Sequence, residues 1–133
     1  MLYMKMNMGV LIVPGVIAKS QEELDEMLDK VKGKVKRIML DVMDNEFVPN
    51  SSLEFDFKVP KGFEYEAHLM VKNPLEWIEN NGNKVDIAIL QVETIEDIEE
   101  AITFVKEKGL KVTLALNPET RLDIVLPFLN EID

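Results

Sequence analysis

Residues 85–116 read VDIAILQVETIEDIEEAITFVKEKGLKVTLAL, and this stretch decides the fold class. It contains two nearly continuous apolar runs, residues 85–92 and 110–116, which are typical of strands buried on both faces. A helical segment separates them. Because parallel strands need a long crossover, usually a helix, this succession predicts a parallel pair of strands joined through a helix.

The segment between the two runs has the pattern of an amphipathic helix. Its apolar residues recur at helical spacing and are Ile95, Ile98, Ile102 and Val105. Thr94 is predicted to cap this helix and Gly109 to end it.

The same alternation extends toward the start of the chain. Strand-like runs occupy residues 9–17, 35–42 and 64–70. Ser20 is predicted to cap the helix after the first run, and Pro74 suits the first turn of the helix after the third. The pattern is therefore βα repeated five times. It predicts an α/β fold with a parallel sheet in a single domain, residues 1–133.

Two segments are less regular. Residues 53–59 (LEFDFKV) alternate apolar and polar side chains and are predicted to form a short strand or an extended arm. Thr120 is predicted to cap a last helix, which Pro127 would kink or restart. No glycine-rich fingerprint follows the first strand, so nothing favours a dinucleotide site.

Composition excludes several classes of function. Of 133 residues, 25 are acidic and 15 basic, and a net charge of −10 would repel a nucleic-acid backbone. The chain has no cysteine and no apolar stretch approaching the length of a membrane span. The start has no clear signal-peptide pattern, so we expect a cytoplasmic protein without nucleic-acid or membrane partners.

Two polar residues at predicted strand ends are candidates for chemistry. Functional side chains of parallel α/β folds lie at the carboxyl ends of the strands. Asp41 lies within an apolar run, where an unpaired carboxylate is costly, although a structural Asp bonded to loop amides fits equally. His68 is the only histidine, and a satisfied structural role is an alternative. Together they supply two metal ligands, which is part of a divalent site.

Two methionines repeat this placement. Met43 and Met70 follow Asp41 and His68 by two residues each. Methionines at such positions usually fill the core. Their matched spacing also allows an apolar lid over a reacting centre.

Three segments carry a family resemblance. They are LDVMDNEFVPN (residues 40–50), HLMVKNP (68–74) and ALNPET (115–120). In order and spacing they resemble the ribulose-phosphate 3-epimerases. The resemblance implies an incomplete TIM-type (β/α)₈ barrel of about five βα units. It also implies metal-assisted epimerisation of a ketopentose phosphate in pentose phosphate metabolism, with two acids acting on opposite faces of the carbon next to the carbonyl.

The resemblance assigns roles to individual residues. Asp41 matches the first catalytic acid, which also binds the divalent metal, and His68 matches a metal-ligand histidine at the substrate site. Met43 and Met70 match methionines that pack beside the reacting substrate. Asn50 and Asn117 fall at positions that shape loops.

The chain also departs from the family pattern. Met39 stands where the family has a first metal-ligand histidine, and a thioether is a poor ligand for the expected ions. Gly15 replaces a serine after the first-strand proline. The glycines of two family motifs are Asn45 and Glu119, and a motif histidine is Glu46.

A complete barrel of this type has about 200 residues or more. We therefore expect the second acid and the phosphate-binding loops to lie in barrel units that these residues do not supply, and the chain alone to be inactive. A sugar phosphate is the expected substrate, and a homo-oligomer or completion by another chain is the expected assembly. The alternative is a non-catalytic interaction module or pseudoenzyme that assembles through exposed barrel edges.

Overall fold

The computed structural model describes residues 9–133, and the expectation about a signal peptide falls partly on residues outside that range. A parallel sheet has the order β1-β2-β4-β5-β6, and a short β3 pairs antiparallel with β2. The strands are β1 (Gly15–Val16), β2 (Arg37–Asp44), β3 (Ser51–Ser52), β4 (Glu64–Met70), β5 (Ile87–Gln91) and β6 (Lys111–Ala115). The α/β prediction is confirmed, and the sheet is consistent with part of a TIM-type barrel.

Within residues 9–133, three α-helices connect the strands. They are α1 (Gln21–Val31), α2 (Pro74–Asn81) and α3 (Ile98–Glu107). The Ser20 hydroxyl caps α1 by accepting from the Glu23 N–H, and Pro74 opens α2, as predicted. No helix among residues 9–133 has the length and apolarity needed to cross a bilayer.

The two faces of the sheet differ. Along β2, Ile38, Leu40 and Val42 are buried and join a core with Leu24 and Leu28 of α1. Because side chains alternate along a strand, the intervening residues of β2 lie on the opposite face. The same alternation holds in β4. One face is thus packed under helices, and the other presents Asp41 and His68.

The prediction of a buried first strand over residues 9–17 is wrong. Only Gly15–Val16 pairs with β2, and Val10 is 77% exposed. An apolar run is buried only where something packs against it. Pro14 has no N–H to donate, although its carbonyl accepts from the Met39 N–H at 2.9 Å.

Two predicted helix caps are also wrong. Asp97 caps α3 by accepting from the Glu100 N–H, whereas Thr94 lies in a 3₁₀ turn and its hydroxyl donates to the Gln91 carbonyl. Thr120 starts no α-helix. Two 3₁₀ turns follow instead, Leu122–Ile124 and Leu126–Phe128. Pro127 interrupts the helical pattern, and the apolar side chains of this segment are mostly exposed, so packing does not stabilise a helix there.

Residues 53–59 form the extended arm rather than a strand. Leu53 and Phe57 point into the core at 3% and 0% exposure. Phe57 stacks on Trp77 of α2 with ring centroids 6.1 Å apart. The alternating pattern therefore reflects one-sided packing of the arm.

Asp44 ties together the loops after β2 and β4. Its Oδ1 accepts from the backbone N–H groups of Glu46 and Phe47, and its Oδ2 accepts from the Lys72 N–H at 2.7 Å. Partial burial alone would raise the carboxyl pKa. The backbone donors outweigh this effect and lower the pKa of Asp44. The ionised carboxylate thus holds the two loops beside each other.

We predict that Asp44→Asn loses about 1 kcal/mol of stability at pH 7, since an amide NH₂ would face a backbone N–H. Because folding lowers the pKa of Asp44, its ionised carboxylate stabilises the folded state at pH values above the unfolded pKa of about 3.9. This stabilisation is lost as the pH falls below that value. Urea melts at several pH values should show the difference shrinking below about pH 4.

The exposed Asp29→Asn provides the matched control and should change stability by less than about 0.5 kcal/mol. A difference between Asp44→Asn and wild type that stayed constant down to acidic pH would contradict a role for the Asp44 charge.

Candidate active site

The pairing of β2 with β4 brings Asp41 and His68 together. Asp41 lies opposite His68 in the parallel register, and both side chains lie on the face away from the helices. The Oδ1 atom of Asp41 is 3.8 Å from Nδ1 of His68. Sequence reasoning proposed these two residues as partners, and the fold places them side by side.

Asp41 is held in a partly buried position. Its side chain is 19% exposed. Burial raises the pKa of the Asp41 carboxyl, and the nearby His68 acts against this rise. A Cβ atom on Gly15 would lie 3.1 Å from Oδ2 of Asp41, so the glycine leaves room for the carboxylate.

Asp41 and Asp44 differ in their partners. Asp44 accepts three backbone N–H groups, whereas none of the hydrogen bonds found among residues 9–133 ends on the Asp41 carboxylate. The structural role considered for Asp41, bonding to loop amides, is the one that Asp44 performs. Asp41 is therefore a carboxylate available to another group.

His68 makes its close contact on the other side of the ring. Its Nε2 atom lies 2.8 Å from Oε1 of Gln91, the last residue of β5. Gln91 in turn donates from Nε2 to Oε1 of Glu93 at 2.6 Å and to Oδ1 of Asn117 at 3.1 Å. A chain of polar side chains thus crosses the carboxyl ends of β2, β4, β5 and β6.

Glu93 anchors the far end of this chain. Its carboxylate accepts from Gln91 and from the backbone N–H of Asn117 at 3.2 Å. Its partial burial favours a higher pKa, but hydrogen bonds from Thr120, Gln91 and Asn117 lower the pKa of Glu93 overall. Glu93 is therefore ionised near neutral pH and acts as an acceptor.

Met43 and Met70 occupy the next position along both strands. They face each other in the register, two residues beyond the pair of Asp41 and His68. Met43 is 6% exposed, and Met70 is partly buried. The two thioethers thus place apolar surface beside the polar pair.

Asn50 and Asn117 both take part in loop structure. The Asn50 carbonyl accepts from the Asn45 N–H at 2.8 Å, and the Asn50 side chain accepts from the Ser51 N–H. Asn117 reaches further, because its side chain also accepts from Gln91. Asn117 therefore belongs to the polar chain as well as to its loop.

A metal fits this site only in part. Asp41 and His68 offer an oxygen and a nitrogen donor, which suit borderline divalent ions. Met39, two residues before Asp41, adds a thioether, which does not. Among the residues that the structure describes, no three His, Asp or Glu side chains converge in a metal-binding group. The site thus supplies two ligands of a larger set.

Sequence reasoning placed Gln91 and Glu93 at a strand end but did not choose them as members of the site. Glu93 directly follows the apolar run over residues 85–92, and Gln91 is a polar residue near the end of that otherwise apolar run. That was the feature that singled out Asp41, so the same signal was present. Its partners became visible only when the register of β4 and β5 was known.

We predict that Asp41→Asn melts about 1–3 °C above wild type at pH 7, because the raised pKa means that ionised Asp41 opposes folding. The gain should shrink as the pH falls toward the unfolded pKa of about 3.9 and vanish below it, where the wild-type carboxyl is protonated in both states. Calorimetry at pH 7 and pH 3.5 tests this. A variant less stable than wild type at pH 7 would contradict it.

Comparison with known proteins identifies the family of this chain. The profile of the Ribulose-phosphate 3 epimerase family matches residues 11–133. The chain is 29% identical over 131 residues to ribulose-phosphate 3-epimerase of Schizosaccharomyces pombe, covering 92% of this chain and 56% of that protein. For the Bacillus subtilis enzyme the identity is 26% over 128 residues, with 92% and 59% covered.

The enzyme of Chlamydia pneumoniae is 33% identical over 99 residues, with 69% of this chain and 42% of that protein covered. The chain therefore spans about half the length of the curated relatives that it matches. The family profile accounts for nearly all described residues, and the parallel α/β sheet agrees with it. This chain belongs to the ribulose-phosphate 3-epimerase family.

Proposed function

We propose that residues 9–133 carry the proton-abstracting half of an epimerase site for a ketopentose phosphate. The observation that carries the proposal is the Asp41 carboxylate, partly buried, without a hydrogen-bond donor among the described residues, and 3.8 Å from His68. The names of the relatives supply the substrate class, ribulose phosphate. The site residues supply the chemistry.

Asp41 is the base in this proposal. A carboxylate without backbone donors is a stronger base than one that such donors stabilise, and burial raises the pKa of Asp41 further, against the opposing effect of His68. It would take the proton from the carbon next to the substrate carbonyl. Asp44, whose pKa is lowered by three backbone donors, is unsuited to that step and serves the loops instead.

Asp41 and His68 would together hold a divalent ion. When bound, such an ion supplies positive charge beside the substrate oxygen on which negative charge develops. His68 presents its ring nitrogen toward Asp41, and Gln91 fixes the opposite edge of the ring. This support by an outer hydrogen-bond partner is usual for histidine ligands.

The methionines would exclude water from the reacting carbon. Met43 and Met70 lie next to the polar pair on the same face. Apolar surface there lowers the local dielectric, which strengthens the electrostatic interactions of the pair. Return of the proton from the opposite face requires a second acid, which we do not assign among the described residues.

The half-reaction can be tested without the complete reaction. A single base that takes and returns a proton exchanges it with solvent, so we expect deuterium from D₂O to enter ribulose 5-phosphate when a divalent ion is present. Asp41→Asn should slow this exchange by about 100-fold or more. Asp29→Asn, an exposed carboxylate of α1, is the matched control. Equal exchange by wild type and Asp41→Asn would refute the assignment of the base.

The replacement at position 39 gives a second prediction. Met39 lies on the same face of β2 as Asp41, two residues away. We expect Met39→His to tighten cobalt binding by about tenfold or more, because it replaces a thioether with a nitrogen ligand that suits the ion. A tenfold change corresponds to about 1.4 kcal/mol. Calorimetric titration measures the affinity.

The double variant Met39→His with His68→Asn is the control for that titration. It should lose the gain, because the added histidine then lacks its neighbouring ligand. An equal gain in cobalt affinity in the single and double variants would mean that the ion does not bind at His68.

A second candidate function is assembly without catalysis. Most of the exposed large apolar side chains among residues 9–133 cluster in two segments flanking the sheet: Val10, Leu11 and Ile12 before β1, and Leu122, Ile124, Leu126 and Leu129 after β6. An open parallel sheet has unpaired edges that another polypeptide can extend. We propose a second copy of the chain as the partner.

Light scattering after gel filtration should then give the mass of a dimer. A monomer at all concentrations would refute this proposed assembly.

A further inference from the structure

Gln91 lies in the site, but it is neither the proposed base nor a proposed metal ligand. It is 4% exposed, and both ends of its amide are engaged. The nitrogen donates to Glu93 at 2.6 Å and to Asn117 at 3.1 Å, and the oxygen faces Nε2 of His68 at 2.8 Å. A buried amide with this many partners has one orientation that satisfies all of them.

The neighbours determine that orientation. An ionised carboxylate only accepts hydrogen bonds, so the Gln91 nitrogen must face Glu93. Its oxygen then faces His68, and an oxygen acceptor requires a hydrogen on Nε2 of the ring. A neutral imidazole has only one such hydrogen, so Nδ1 is left with a free lone pair.

That free lone pair lies opposite Asp41. The distance from Nδ1 to Oδ1 of Asp41 is 3.8 Å, which is beyond hydrogen-bonding range. With the ring hydrogen on Nδ1 instead, a small approach of the two side chains would let His68 donate to Asp41, and each group would then be occupied by the other. With the hydrogen on Nε2, two electron-rich atoms face a common space.

We infer that Gln91 is a positioning residue that keeps the single hydrogen of the neutral His68 ring on Nε2, and so keeps His68 Nδ1 and Asp41 free to face a cation or a substrate. What fills the space rests on the proposed function. The location of the ring hydrogen does not, and it can be measured separately.

Nuclear magnetic resonance shows directly which ring nitrogen of His68 carries the hydrogen. His68 is the only histidine of the chain, so its ring nitrogens give the only imidazole signals in a long-range ¹H–¹⁵N correlation spectrum. We expect the neutral ring of the wild type, recorded at alkaline pH, to show Nε2 protonated and Nδ1 bare.

Two variants test whether Gln91 is the cause. Gln91→Met removes the acceptor at similar side-chain length, and Asp41 remains as the acceptor near the ring. We expect the Nδ1–H form to become the main one. The double variant Gln91→Glu with Glu93→Gln keeps an oxygen acceptor for Nε2–H and supplies an amide donor across the 2.6 Å contact between the two side chains. It should retain the wild-type form, which separates loss of the acceptor from general damage to the site.

Gln21→Met is the matched control. Gln21 is a glutamine that bridges Asp25 and Lys58 outside the site, and its replacement should leave the His68 spectrum unchanged. A bare Nε2 in wild type would overturn the inference, even if Gln91→Met failed to fold. So would a folded Gln91→Met protein with the wild-type ring form.

The deuterium-exchange assay keeps the two proposals apart. If the ring form follows Gln91 while Asp41→Asn still catalyses exchange, the positioning role stands and the proposed base is wrong. If the ring form ignores Gln91 while exchange depends on Asp41, the base stands and the positioning role is wrong.

Discussion

The parallel register between β2 and β4 is the constraint on which the site depends. It places Asp41 opposite His68 and Met43 opposite Met70, so that two polar residues and two apolar ones form adjacent layers on one face. A slip of one residue in β4 would turn His68 into the core and bring Leu69 to the site. Burial of Ala67 and Leu69 on the helix-covered face disfavours that slip, so core packing also fixes the geometry of the site.

The same arrangement explains why Asp41 lowers the stability of the fold locally. The core face of β2 is apolar and closely packed, whereas Asp41 is partly buried and lacks donors among the described residues. An ionised carboxylate in such surroundings opposes folding, as its raised pKa indicates. Asp44 at the end of β2 and Glu93 after β5 have lowered pKa values because hydrogen-bond donors surround them. The carboxylates at the sheet ends thus divide into supporting groups and one that remains available.

Much of this could be predicted from the sequence, and the failures have physical reasons. The apolar runs and the helices between them gave the α/β class, and the polar residues at the ends of β2 and β4 gave Asp41 and His68. Burial of residues 9–14 and a helix after Thr120 were wrong, because an apolar pattern states what can be buried and not whether a partner covers it. Gln91 was missed because an amide gains a role only through its neighbours, which the register of β4, β5 and β6 supplies.

The most direct measurement of the central claim is a crystal structure of the chain soaked with manganese, read through the anomalous signal of the ion. The account predicts a peak within bonding distance of both Oδ1 of Asp41 and Nδ1 of His68, with Nε2 of His68 still bonded to Gln91. A soaked crystal with manganese bound only at other carboxylates, and none at Asp41 and His68, would contradict it.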